Sequence, residues 1–374
     1  MNIMLIGIDF YPRQTPSDKN FWLSIVNEVK NKFQKIQIIS FVKKKSDTHI
    51  EVYDNIVFNY FKFLSFPSPY SLIGGFIARL IAFCLNIINI KRIIKQNGIE
   101  VVHFVDNFGI VMPLMKLLYR NVRITASLAA ARPKDRMYDL LLRISYSYLD
   151  RIATFTECLK ERLIAMGIDK DKIDVIRWAV KIIAKEGRND HYQNKDKKVV
   201  LWTGFLTQVR EEDFFLAMRI AKRLIMTTDK CKFIFCFKSH FFNTKYKKYE
   251  SEGIEVQPNN ISFNQIVNYS DIYFCPIKDQ NKIIGPPLTW IEMMLHGKPI
   301  ITTAVNGAKE IVKNRENGYI CKDEGALIDS LLNLVVDSRC CEKMGQYARE
   351  FIKDSFNFEV SCQKYLKLWG AIHE

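Results

Sequence analysis

None of the nine cysteines stands at a C-x-x-C or comparable zinc spacing from another, and the six histidines show no ligand spacing. A metal held by a His/Cys cluster is therefore not expected. An odd, unpatterned set of thiols also argues against a disulfide scaffold and for a reducing compartment. Cys340 and Cys341 are adjacent and read as helix surface or packing. No segment has the composition of a disordered tract, and no nucleic-acid-binding motif is present, so no nucleic-acid partner is expected. No leader is expected, because Met1 runs directly into the strand-like NIMLIGI. An uninterrupted membrane span is missing too. The longest apolar stretch, Leu72–Ile90, is about one span long, but Arg79, Asn86 and Asn89 interrupt it and Gly74–Gly75 weaken it. It reads as a buried or membrane-surface helix rather than a crossing one.

What is present suffices for two ordinary domains: 374 residues, 48% apolar and 25% charged. The net charge of +15 is unevenly spread. Residues 1–182 hold 27 basic against 16 acidic side chains, and residues 183–374 hold 28 against 24. Either the excess is lysine on solvated faces, or the first half meets an anionic partner. Without a nucleic-acid motif, the functional version of that reading is a membrane surface or an anionic acceptor.

Short apolar runs alternate with helical patterns through both halves. In the first, strands are predicted at NIMLIGI, IQIISF, EVVHF, Val122–Ala126, Arg151–Phe155 and Ile173–Ile176, with helices between them. A polar stretch over 183–198 reads as a linker, and a second alternating series begins at Val199. Such alternation predicts parallel sheets with helices on both faces.

The richest segment is IIGPPLTWIEMMLHGKPIITTAVNGAKEIV, residues 283–312. Pro286 and Pro287 suit a helix start, where a missing N–H is harmless. The helix is predicted over Leu288 to His296, with Gly297 as its stop and a buried strand at Pro299–Thr302. Such a start offers the amides of Leu288 and Thr289 to a phosphate, with Glu292 one turn behind.

This segment resembles the donor-site signature of retaining glycosyltransferases of family 4. "EMMLHGKPIITT" and "NGAKEIV" follow the family pattern without a gap, and Glu292 matches the second Glu of its E-x7-E pair. The first Glu position is Ile284. DRIATFTECLKERLIAMGIDKDKIDVIRWAV, from Asp150, and LWTGFLTQVREEDFFLAM, from Leu201, also look like family segments, so the likeness covers nearly the whole chain. It implies an α/β GT-B fold, two Rossmann-like domains with parallel sheets facing across a cleft. The boundaries would be 1–182 for an acceptor-binding domain, 183–198 for the linker and 199–350 for the donor domain. A C-terminal helix in 351–374 would cross back to the first domain.

The resemblance also assigns roles. Gly204 would let a ligand approach the backbone, and Arg210 stands at the family's Lys that holds the donor diphosphate, a surface Arg beside Glu211 and Glu212 being the lesser reading. The family's preceding Arg is Phe205 here. Lys238 is either a second phosphate cation or a solvated loop lysine. Leu288 and Thr289 would supply amides, and Glu292 would accept hydrogen bonds from the donor ribose. In the first domain Ser17 and Lys19 at a helix start and Asn107 are candidates for the acceptor. Asp106 and Ser127 are candidates for the catalytic centre, Ser127 replacing the family's usual His. His103 reads as a core histidine before a catalytic one. The implied reaction is transfer of a sugar from a UDP- or GDP-sugar to a glycan or lipid-linked acceptor with retention, in cell-surface polysaccharide synthesis. It needs neither metal nor other cofactor. The implied place is the cytoplasm, at the inner face of the membrane. A non-catalytic GT-B protein that partners an active transferase is the alternative, and a sugar-nucleotide epimerase a third.

Overall fold

The structure is a computed structural model that describes residues 1–8, 17–42, 50–62, 72–105, 108–128, 136–179, 197–204, 211–237, 246–256, 263–279 and 287–372. The chain divides into two units, Met1–Ala179 with Phe358–Glu374, and Val180–Asn357.

Unit 1 begins β1 (Asn2–Ile8), α1 (Ser17–Val29), β2 (Lys35–Val42), β3 (Ile50–Tyr53), β4 (Ile56–Lys62) and α2 (Leu72–Gln96). It continues β5 (Val101–Phe104), α3 (Val111–Leu118), β6 (Arg123–Leu128), α4 (Arg136–Ser147), β7 (Arg151–Thr154), α5 (Glu157–Ala165) and β8 (Ile173–Val175). Its sheet runs in the order β3-β4-β2-β1-β5-β6-β7-β8. All pairs are parallel except β3–β4. The β3–β4 pair is absent from the alternation read in the sequence. It turns at Asp54, whose φ of 53° is tolerated because Asp visits the left-handed region more readily than bulkier residues.

Right-handed crossovers fix the layers. The connection β1–α1–β2 runs one way along the sheet, while those through α2, α3 and α4 run the other way, so α1 lies on one face and α2, α3 and α4 on the opposite one. The central strands are buried on both sides and therefore read as continuous apolar runs, as β1 does in NIMLIGI.

Unit 2 repeats the plan with β9 (Lys198–Gly204), α6 (Glu211–Thr227), β10 (Cys231–Phe237), β11 (Ile254–Val256), α7 (Phe263–Tyr269), β12 (Ile272–Cys275) and α8 (Leu288–Leu295). Then come β13 (Ile300–Thr303), α9 (Ala308–Ile311), β14 (Gly318–Cys321), α10 (Glu324–Val336) and α11 (Ser338–Ser355). The order is β11-β10-β9-β12-β13-β14, all parallel. The last helix, α12 (Phe358–Trp369), packs against α1, β6 and β7 of unit 1. The division between the units falls at Asn357–Phe358, later than position 351, because α11 runs unbroken to Ser355.

Candidate functional site

In an open parallel sheet, ligands bind beyond the carboxyl ends of the strands where the strand order reverses. In unit 2 that point lies between β9 and β12, since β10 flanks β9 on one side and β12 on the other. Gly204 is the last residue of β9. A Cβ there would stand 2.4 Å from the Trp202 ring of the same strand face, so the indole fills the space a side chain would need. The glycine is thus required by packing, and it is itself buried.

Helix α8 follows β12, which puts its N-terminus at the carboxyl edge. Pro287 is its N-cap in extended conformation (φ −61°, ψ 141°) with no capping side chain, and Trp290 N–H donates to the Pro287 carbonyl at 2.9 Å. Leu288, Thr289 and Glu292 are half-buried there, Glu292 lying one turn beyond Leu288. The far end is fixed more firmly. Gly297 takes φ 69°, and the Lys298 amide donates back to the Met293 carbonyl at 3.0 Å. Gly345 of α11 meets this turn so closely that a Cβ on it would lie 2.2 Å from the Gly297 oxygen. Lys298 Nζ reaches the carbonyl of Ser270, and His296 Nδ1 lies 3.0 Å from Asn268 Oδ1. The helix is therefore held by its back and presents its N-terminus.

The segment after β12 is pinned by side chains that sequence reasoning passed over. Thr303 Oγ1 accepts from the Ile277 amide at 3.0 Å and donates to its carbonyl at 2.8 Å. Asp213 Oδ1 accepts from the Lys278 amide at 2.8 Å. Thr203 and Tyr273 hydroxyls meet at 2.8 Å across β9 and β12. Asp213 carried a signal: it sits with Ala217 and Ile220 on the buried stripe of α6, where an acid needs a partner.

Of the other residues singled out in the sequence, Asp106, Asn107, Arg210, Lys238 and Ile284 lie outside the described residues. Ser17 and Lys19 open α1, which follows β1 at the switch point between β1 and β5 in unit 1. Their side chains lie outside what is described.

Ser127 lies on β6 of unit 1. It is buried, and its hydroxyl lies 3.1 Å from His103 Nε2 and 3.2 Å from the Tyr365 hydroxyl of α12. His103 Nδ1 lies 2.8 Å from Thr125 Oγ1, which faces the Val102 carbonyl at 3.5 Å. A carbonyl only accepts, which sets one consistent direction: Tyr365 donates to Ser127, Ser127 to Nε2, Nδ1–H to Thr125, and Thr125 to Val102. Burial holds the His103 pKa at about 3 and raises that of the Tyr365 phenol, so both stay neutral. Trp22 and Trp369 rings enclose the imidazole at 4.9 and 5.5 Å. Ser127 and His103 therefore tie α12 to the sheet. Both belong to the core of unit 1. Burial likewise raises the thiols of Cys231 to about 11 and Cys341 to about 12, which removes them as nucleophiles near neutral pH. Among the described residues no group of His, Cys, Asp and Glu is arranged to hold a metal ion, and no helix is long and apolar enough to cross a membrane.

Residues 185–351 match the family model for glycosyl transferases group 1. The chain is 30% identical over 109 residues to an uncharacterized glycosyltransferase of Methanocaldococcus jannaschii, covering 29% of this chain and 27% of that protein. The chain thus spans about a quarter of the length of that curated relative. Among solved structures, sucrose-phosphate synthase of Thermosynechococcus elongatus superposes with a TM-score of 0.76 at 14% identity, over 99% of this chain and 100% of the other. HepE of Anabaena, in complex with UDP and glucose, gives 0.72 at 13% identity over 100% of both chains. The chain has the GT-B fold, and the part of it that matches the glycosyl transferases group 1 model lies in the second unit.

Proposed function

We propose that this protein is a retaining glycosyltransferase that moves a sugar from a nucleotide-sugar donor to a glycan or lipid-linked acceptor in cell-surface polysaccharide synthesis, on the cytoplasmic side. The observation that carries the reading is the start of α8: a helix N-terminus without a capping side chain, next to the β9–β12 switch point, with Glu292 one turn behind. Departure of a nucleoside diphosphate concentrates negative charge on its phosphate in the transition state, so groups aimed there lower the barrier. The Leu288 and Thr289 amides would face that phosphate, and Glu292 would accept hydrogen bonds from the ribose hydroxyls. A helix terminus stabilises an anion by only about 0.3–1 kcal/mol at a surface. A charged hydrogen bond contributes roughly 1.5–3 kcal/mol. Arg210 and Lys238 are therefore the larger part of the proposed diphosphate site, with Gly204 at the end of β9 on its edge. The acceptor hydroxyl would lose its proton to the departing phosphate, which dispenses with a side-chain base. Asp106, Asn107, Ser17 and Lys19 are proposed for the acceptor side.

HepE binds UDP, which makes UDP the first ligand to try. The test is a thermal-shift series with UDP, GDP, ADP and dTDP. At about 100 times Kd a ligand stabilises the folded state by about 2.7 kcal/mol. A rise with one nucleotide, lost in Glu292→Ala, is the expected result. The absence of any rise would favour a non-catalytic partner protein, a reading to which Ile284 and the core role of Ser127 lend weight.

A further inference from the structure

The layer formed by α2, α3 and α4 carries its apolar side chains outward as well as inward. On α2, Ile77, Leu85 and Ile88 are 44%, 66% and 72% exposed, and they fall on one stripe at i, i+8 and i+11. On α4, Met137, Leu140 and Ile144 are exposed at i, i+3 and i+7, and Tyr148 continues the line. Leu117 and Leu118 of α3 are exposed as well. Helix α3 packs against both α2 and α4, so these stripes adjoin. A soluble protein rarely leaves such a continuous apolar surface uncovered.

Charge on the same layer is of one sign. The three helices contain one acid, Asp139, and it is turned into an ion pair with Arg162 of α5 at 2.5 Å. Lys91, Arg92, Lys95, Arg136 and Arg143 are exposed. Arg79, the one charge within the apolar run of α2, lies 6.0 Å from the ring centre of Phe108. At the foot of α3 a cavity of about 290 Å³ is lined by Lys116, Arg120, Arg123 and Arg151, with Asp150 as its single acid. Asp150 is taken by Lys116 at 2.7 Å and Arg151 by Asp174 at 2.6 Å. Arg120 and Arg123 make no ion pair among the described residues and are left for an outside anion.

The geometry points to docking of the α2–α3–α4 face on an anionic lipid bilayer, with the Arg120–Arg123 cavity receiving a headgroup phosphate. A protein partner would demand complementary acids and bases. A second copy of this face would set cation against cation. An anionic bilayer asks only for apolar side chains rimmed by positive charge. The inference deepens the reading of a lipid-linked acceptor, but it stands on this surface alone.

The experiment is flotation of the full chain with vesicles of phosphatidylcholine alone, or mixed with phosphatidylglycerol, at low and high salt. Binding to the mixed vesicles only, weakened by salt, is expected. Leu85→Glu with Leu140→Glu removes apolar contact without touching the core, and Arg120→Ser with Arg123→Ser removes the cavity cations. Each pair should weaken partitioning by about tenfold or more, while circular dichroism and the nucleotide-induced thermal shift stay as in the parent. No binding to anionic vesicles, or binding indifferent to both pairs, overturns the inference. So does a concentration-dependent dimer, seen by sedimentation and abolished by the Glu pair, since a second copy would then cover the face. If vesicles bind but no nucleotide shifts the melting temperature, this inference stands and the donor-site reading falls.

Discussion

The two units share one sheet plan and close their cores by opposite means. Unit 1 seals the sheet against α12 with a buried polar chain, Thr125–His103–Ser127–Tyr365, set among tryptophans. Unit 2 has a shorter buried polar link, Thr203–Tyr273, and relies more on aromatic packing, with Trp202 against Phe214, Phe235 and Phe237. It gains proximity through glycines: Gly345 on Gly297, and Gly318 against the Ile300 carbonyl. A polar seal fixes orientation but answers to pH. A glycine seal ignores pH but tolerates no added volume.

The contrast breaks most sharply at Gly345. Gly345→Val drives a branched side chain into a backbone carbonyl that cannot move aside, and should cost about 3 kcal/mol or more in unit 2. Hydrogen exchange read by unit would show amides of α8 and α11 losing protection while those of β1 and β5 keep theirs. Equal loss in both units would mean that they unfold as one.

Acid gives the next effect, and its His103 share falls on unit 1. The His103 pKa is lowered from 6.5 to about 3 by burial. Between those values the unfolded chain binds the proton and the folded one does not, so stability rises with pH across the window. The contribution is complete above about 6.5 and declines as pH falls, at roughly 1.4 kcal/mol per unit on the steep limb. Denaturant melts from pH 7 to 4 should show that slope, reduced in His103→Gln. An unchanged slope in the variant would assign the acid sensitivity elsewhere.

Tyr365→Phe sharpens the same point on a smaller scale. It removes one donor and leaves the Ser127 oxygen without it, a loss of about 1–2 kcal/mol, and thermal melts should place the loss in unit 1. Least of all, Arg219→Ala removes an exposed pair with Glu324 on unit 2, where less than about 1 kcal/mol is expected. A larger fall in chemical stability would show that α6 and α10 depend on that pair.

Much of this architecture is legible in the sequence because buried parallel strands leave apolar runs that only their length distinguishes from helices. The strand predicted at NIMLIGI appears at those bounds as β1. The α8 segment was readable because a proline start and a glycine stop are local events. The edge pair β3–β4 was not, since β3 is only four residues long and largely exposed, too short for a periodic pattern to show. Gly204 was legible as a glycine after a strand, but its cause, the Trp202 ring, is a matter of side-chain packing. Ser127 could not be placed from local pattern, because its partner Tyr365 lies 238 residues away. The predicted strand stopped at Ala126, whereas β6 runs on to Leu128 and sets Thr125 and Ser127 on one face, where both hydroxyls need partners.

That separation has a consequence for how the protein is made. Synthesis delivers β1 through β8 first, yet α12, which covers Trp22 and His103, follows only after all of unit 2. The nascent first unit must wait, its aromatic face uncovered, while the second can fold on the ribosome as soon as α11 emerges. Order of completion is then the reverse of order of synthesis, and the chain is most open to chaperones and proteases during that wait.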